Sequence, residues 1–196
     1  DRWIEGRDIY RKDASPEALR AVGRMAGRIH RVSRNFQSSA QRSAEHVTFA
    51  SALATLTHPQ AGWRIVLSHR LTRKEARLID TVISKLTTYW IDERLVQLPQ
   101  QPIPGDLNFG SMKFDEDGRE VIAVFNWDKA RRASRIEDIF ATLVHTGHPE
   151  EDYYIGQLAD DLDTFLEGYY TTVGSPFVIE ERVGLRMIFM AHMLFQ

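Results

Sequence analysis

Apolar residues recur at steps of three and four from Leu19 onward, and Leu19, Val22, Met25, Ala26, Ile29 and Val32 lay one stripe along a helix. Ser15 supplies a cap and Pro16 the first helical position, where a missing N–H costs nothing, so this helix is predicted over Pro16 to about Ser33. A second helix starts at Thr72, whose hydroxyl and the Glu75 carboxylate stand at capping-box spacing. Leu78, Ile79, Val82, Ile83, Leu86, Tyr89, Trp90 and Ile91 carry it in helical period to about Val96, as the pillar of a helical core. Ile136, Ile139, Phe140, Leu143 and Val144 mark a third helix opening at Arg135. Leu158, Leu162, Phe165, Leu166, Tyr169 and Tyr170 mark a fourth, stopped near Gly174-Ser175-Pro176, and Glu180 to Phe195 reads as a fifth. Between Asn35 and Arg70 the periodicity fades; Val47, Phe49, Ala50, Leu53 and Leu56 fit one short helix before the break at Pro59-Gln60-Ala61-Gly62.

The period changes beyond Leu98. Three prolines between Pro99 and Pro104 hold an extended approach. Met112 to Phe114 and Val121 to Phe125 then read as two strands around the solvated turn Asp115-Glu116-Asp117-Gly118. The predicted class is α+β, mainly α, with several helices around one β-hairpin.

Composition narrows the role. A chain of 196 residues that is 43% hydrophobic suits one compact core. A net charge of −2 gives no basic footprint for nucleic acid, and no apolar run approaches the roughly 20 residues of a membrane span. The absence of cysteine rules out disulfides and thiolate metal sites and favours a reducing, cytoplasmic setting. His46, His58 and His69 stand alone without metal-ligand spacing, and His30, beside the first apolar stripe, reads as a half-buried, hydrogen-bonded histidine. Asp160-Asp161 reads as a solvated helix face, with the lining of a cationic substrate's cleft as the other possibility.

The chemistry concentrates at the mouth of the hairpin. Phosphoryl transfer needs a carboxylate near the attacking hydroxyl and hard oxygen donors that hold Mg²⁺ against the phosphates. Asp106 suits the first role, with a loop-capping Asp as the ordinary alternative, and positions 111 and 126 would serve the second. Asp128 lies two residues along an extended segment from Asn126, on the same side, and offers a carboxylate there.

The order Gly105-Asp106-Leu107-Asn108, a five-residue step from Asp106 to Ser111, an apolar strand, an Asp-rich turn and a second strand running into Asn126-Trp127-Asp128 resembles the aminoglycoside phosphotransferase and choline kinase-like family. The family pattern is His-Gly-Asp, an Asn five residues past the Asp, and a strand ending in Ile-Asp-Trp or Ile-Asp-Phe. This chain keeps Asp106 and carries Pro104, Ser111 and Asn126 at the other three positions. The resemblance implies the helical C-terminal lobe of a protein-kinase-like fold over residues 15–196. Residues 1–14 would be the hinge exit from an N-terminal nucleotide lobe supplied in cis or in trans. Ile4-Glu5-Gly6-Arg7 also spells a protease recognition site of the kind added to recombinant proteins.

The resemblance further implies ATP and Mg²⁺ as cofactors, a small-molecule hydroxyl as acceptor, Asp106 as catalytic base, Ser111 and Asn126 at the cofactor, and Ser111, Asn126 and Asp128 at the metal. Asp138, in an Arg-x-x-Asp pattern, is expected to hydrogen-bond the catalytic loop or a neighbouring arginine. No glycine-rich phosphate loop occurs in the chain, because Gly23, Gly27 and Gly62 fall in helix or turn contexts. Asn126 replaces a charged ligand by a neutral one, so two readings stand: a small-molecule phosphotransferase, or a pseudokinase that keeps the lobe's shape for a ligand or partner.

Overall fold

The computed structural model describes residues 4–36, 72–91, 97–144 and 155–195. Two compact units emerge, Asp1–Ala44 with Pro99–Val178, and Glu45–Leu98 with Ile179–Gln196. The readings made for Asn35 to Arg70 fall almost wholly outside the described residues.

In the first unit, α1 (Pro16–Ser33) begins where Ser15 Oγ accepts the Ala18 N–H at 3.2 Å, with Pro16 in the first turn. Leu19, Val22 and Ala26 of the expected stripe are buried, but Val32 is 78% exposed. The buried face is rotated toward Gly23, Gly27 and His30, because α1 lies backbone to backbone against α4 (Ile155–Tyr170). A methyl at Gly23 would come within 2.1 Å of the Phe165 carbonyl oxygen, and one at Gly168 within 2.0 Å of the Arg20 carbonyl oxygen. Clearance selects these glycines, and a hydrophobic count cannot see that. Phe165 and Tyr169 fill the seam with stacked rings 5.9 Å apart, each burial worth roughly 1.5–3 kcal/mol.

Two small antiparallel sheets complete this unit. Strand β1 (Gln100–Ile103) pairs with β4 (Arg131–Ser134), and β2 (Met112–Phe114) pairs with β3 (Val121–Val124) through a bulge between Lys113 and Phe114. The hairpin is the one expected from sequence, one residue shorter at Val124. The β1–β4 pair was not expected, since Pro102 and the polar Arg131-Arg132-Ala133-Ser134 carry no strand signal; a two-stranded ribbon has only edges, where proline is tolerated. The turn takes the expected form: Asp115 Oδ1 accepts the N–H groups of Arg119 and Glu120, and Gly118 sits at φ +71°. Arg7 exchanges two backbone hydrogen bonds with Phe114, at 2.8 and 2.9 Å, as an isolated antiparallel bridge beside β2. Helix α3 (Arg135–Val144) buries Ile136, Ile139 and Leu143 as expected.

In the second unit, α2 (Arg73–Ile91) packs on α5 (Ile179–Phe195). The capping box forms: Glu75 N–H donates to Thr72 Oγ1 at 3.3 Å, and Thr72 N–H to the Glu75 carboxylate at 2.7 Å. Ile83 and Leu86 are buried, whereas Leu78 is 65% exposed in the first turns. Among the described residues no helix is long and apolar enough to cross a membrane.

Candidate functional site

The segment between β1 and β2 carries Asp106, and its conformation is imposed from both sides of one residue, Gly105. Gly105 adopts φ +81°, a left-handed conformation that costs an L side chain roughly 1–2 kcal/mol. A methyl there would also lie within 2.2 Å of the Lys129 carbonyl oxygen. The Gly105 N–H donates to Asp138 Oδ1 at 2.8 Å, and its carbonyl accepts from Arg131 Nη1 at 3.1 Å. Asp138 stands in the first turn of α3 with no exposure, and its bond to Gly105 is a contact to the Asp106 loop of the kind the family resemblance led one to expect. Arg131, at the start of β4, is itself held by Glu137 at 2.7 Å.

Asp138 belongs to a buried chain of polar groups. His30 Nε2 is 3.1 Å from Asp138 Oδ2, and His30 Nδ1 is 3.0 Å from the Tyr169 hydroxyl. An ionised carboxylate only accepts, so Nε2 carries the proton donated to Asp138, and in the neutral imidazole Nδ1 then accepts from Tyr169. His30 is fully buried, not half-buried, and it is the hydrogen-bonded structural residue the sequence suggested. Helices α1, α3 and α4 each contribute one member, so the packing of the helical core is transmitted to Gly105.

Beyond Gly105 the chain forms a short 3-10 turn, Phe109–Ser111, closed by a reciprocal cap. Asn108 Oδ1 accepts the Ser111 N–H and Ser111 Oγ accepts the Asn108 N–H, both at 3.1 Å. The Ser111 hydroxyl donates to the Asn108 carbonyl at 2.8 Å, and Ser111 is buried. The Asn108 amide also donates to Asp106 Oδ1 at 2.9 Å, while Lys129 Nζ reaches Asp106 Oδ2 at 2.5 Å. Asp106 is 12% exposed at its side chain and Lys129 59%, so the carboxylate sits recessed with an ammonium group across its mouth. Asp106 holds the Lys129 ammonium in its charged form and raises its pKa above the ordinary 10.5, first by the hydrogen bond and then by charge.

Asn126 and Asp128 follow β3 on an exposed stretch that is not the extended segment expected from sequence. Asn126 is left-handed and Asp128-Lys129 form a turn, closed by the Ala130 N–H donating to the Trp127 carbonyl at 3.0 Å, so two-residue alternation does not place the two side chains on one side. The Phe125 N–H donates to the Ser111 carbonyl at 2.8 Å, which seats position 126 one residue from the end of the Asp106 loop. Asn126 has φ +62°, a region that Asn and Asp enter more readily than other side chains. Among the described residues no three His, Asp or Glu side chains gather as a metal-binding group. The donors present do not fit a firmly held Mg²⁺: position 126 offers a neutral amide, the Ser111 hydroxyl serves its own turn, and Asp106 already faces Lys129.

Comparison with known proteins adds the lineage. The profile described as "Phosphotransferase enzyme family" matches residues 2–172. The chain belongs to the phosphotransferase enzyme family. Solved structures agree on the fold of this phosphotransferase-family chain. Amicoumacin kinase hAmiN, solved in complex with AMP-PNP, Ca²⁺ and Ami, superposes with a TM-score of 0.62 at 17% identity, over 98% of this chain and 54% of that one. Aminoglycoside phosphotransferase APH(3'')-Id from Streptomyces rimosus, solved with ADP and streptomycin, gives 0.53 at 15% identity, over 99% and 68%. The chain thus spans about half the length of the first and about two thirds of the second. No curated protein sequence matches it. The fold is that of the helical lobe of a kinase-like phosphotransferase, mainly α with small sheets.

Sequence reasoning missed Asn108, Lys129, Arg131 and Glu137. Asn108 had a legible signal, since Asn and Ser three residues apart can cap a short turn. Lys129 and Arg131 gave none, because their partners lie more than twenty residues away.

Proposed function

We propose that the chain is the acceptor-binding lobe of a small-molecule phosphotransferase, in which Asp106 receives and orients the hydroxyl to be phosphorylated. The observation that carries this reading is the two-sided clamp on Gly105. Buried Asp138 and paired Arg131 hold both backbone polar groups of Gly105, the residue that precedes Asp106, although Pro104, Ser111 and Asn126 have departed from the family pattern. The Asn108 amide and the Lys129 ammonium hold the carboxylate from two sides and fix its direction. ATP and Mg²⁺ belong to this reading as the phosphoryl donor and its counter-ion, with the nucleotide-binding segment joined in cis or supplied in trans. No step of it runs through a metal held by residues 111, 126 or 128.

A non-catalytic reading is favoured by one specific observation, the neutral amide at the exposed position 126. In that case the lobe binds a small ligand or a partner and does not turn over. Transfer of label from γ-labelled ATP to a panel of hydroxylated antibiotics, using the whole gene product, separates the two. The phosphotransferase reading expects product that disappears in Asp106→Asn. Product formation indifferent to Asp106→Asn would overturn the role of this residue. A silent wild type that gains transfer only as Ser111→Asn with Asn126→Asp would support the non-catalytic reading.

A further inference from the structure

Arg11 is only 2% exposed, and its guanidinium is paired with Asp161 of α4, itself 8% exposed. This corrects the expectation of a solvated face: Asp160 is exposed as expected, and Asp161 is inside. The same guanidinium lies 5.6 Å from the centre of the Phe109 ring. Phe109 opens the capped turn three residues after Asp106, is 2% exposed, and stacks on Phe114 of β2 with centroids 6.0 Å apart. The stretch that delivers Arg11 is fixed to β2 by the Arg7 backbone pair and by Lys113, whose ammonium sits 2.6 Å from both Asp8 carboxylate oxygens.

A buried ion pair is a weak source of stability, since apolar residues of similar volume often serve as well or better. What apolar residues do not reproduce is a flat cation held at a fixed place over one ring. We propose that Arg11, aimed by Asp161, is a positioning residue that holds Phe109 and so sets where the short turn presents Asp106. The importance of that placement rests on the acceptor-orienting role given to Asp106 above; the placement itself does not.

Hydrogen exchange followed residue by residue tests it without requiring turnover. Arg11→Met alone takes the Arg11 cation from the buried Asp161 carboxylate and lowers Tm. The double variant Arg11→Met with Asp161→Leu removes both charges, and its Tm is expected to return to near that of the wild type. In that restored background the amides of residues 107–112 are expected to exchange about tenfold faster than in the wild type, with α1 and α4 unchanged. Should the double variant not fold, Arg11→Lys decides: it keeps a cation for Asp161, loses the flat face over Phe109, and is expected to show the same loop-confined increase. Wild-type exchange at 107–112 in the folded variant, or an increase spread evenly over α1 and α4, would overturn the proposal. If the wild type phosphorylates an acceptor, the restored variant should lose kcat at unchanged Tm; if it does not, the acceptor reading suffers and the exchange data still decide the role of Arg11.

Discussion

Replacing Asp138 by alanine removes one buried acceptor and strands two donors, the Gly105 N–H and the His30 Nε2–H, at positions where the carboxylate is fully buried. A buried donor left without a partner costs about 1–3 kcal/mol, so the pair gives roughly 2–6 kcal/mol, before any contribution from the small cavity. That is a large share of the 5–15 kcal/mol typical of a domain. Asp138→Asn is the informative companion. Its carbonyl oxygen can still accept from Gly105, and its amide can donate to His30 once the imidazole carries its proton on Nδ1 and donates to Tyr169 instead. The loss then reduces to exchanging one charge-assisted hydrogen bond for a neutral one, about 1–2 kcal/mol. Urea unfolding of the unit containing the site, read by near-UV circular dichroism, measures both, and exchange of the Gly105 amide reports the local effect. Equal destabilisation by Asn and Ala, or a loss below about 1 kcal/mol for Ala, would refute the idea that this carboxylate is the anchor of the loop.

Two further outcomes follow from the same geometry. Gly105→Ala should destabilise by at least about 1–2 kcal/mol from the left-handed backbone alone, with more from the contact to the Lys129 carbonyl; denaturation alongside Gly110→Ala, where nothing lies closer than 3.3 Å, provides the control. The Lys129 ammonium, followed by side-chain NMR, should titrate above 10.5 in the wild type and fall toward 10.5 in Asp106→Asn. Because the folded pKa is the raised one, whatever this pair adds to stability is fully present below about pH 10.5 and is lost as the pH rises through the folded value.

How much of this was legible in the sequence depended on the range of the interaction. Local signals held: Ser15-Pro16 started α1, Thr72 and Glu75 capped α2, and Asp115 to Gly118 turned the hairpin, because each is decided within four residues. Asp138 was also reached, through the resemblance of Arg135 to Asp138 to the family's Arg-x-x-Asp pattern. The buried face of α1 was misjudged at Val32, since glycines at 23, 27 and 168 set the helix contact by clearance and a search for apolar residues passes over them. Strand β4 was missed because Arg131 serves as a clamp on Gly105 and the strand owes little to hydrophobicity. Asp161 looked solvated beside Asp160 until its partner, 150 residues earlier, was brought against it.

The site's identity rests on Asp106 and position 126 sharing one cleft. Asn126 already sits in a backbone conformation that aspartate tolerates, so Asn126→Asp changes charge with little strain. Titrating that variant with Mn²⁺ and following the loss of amide signals tests the claim directly. Broadening should strike residues 105–111 and 124–128 together, and should vanish when Asp106→Asn is added. Broadening at 124–128 that spares the Asp106 loop, or that survives the second substitution, would contradict it.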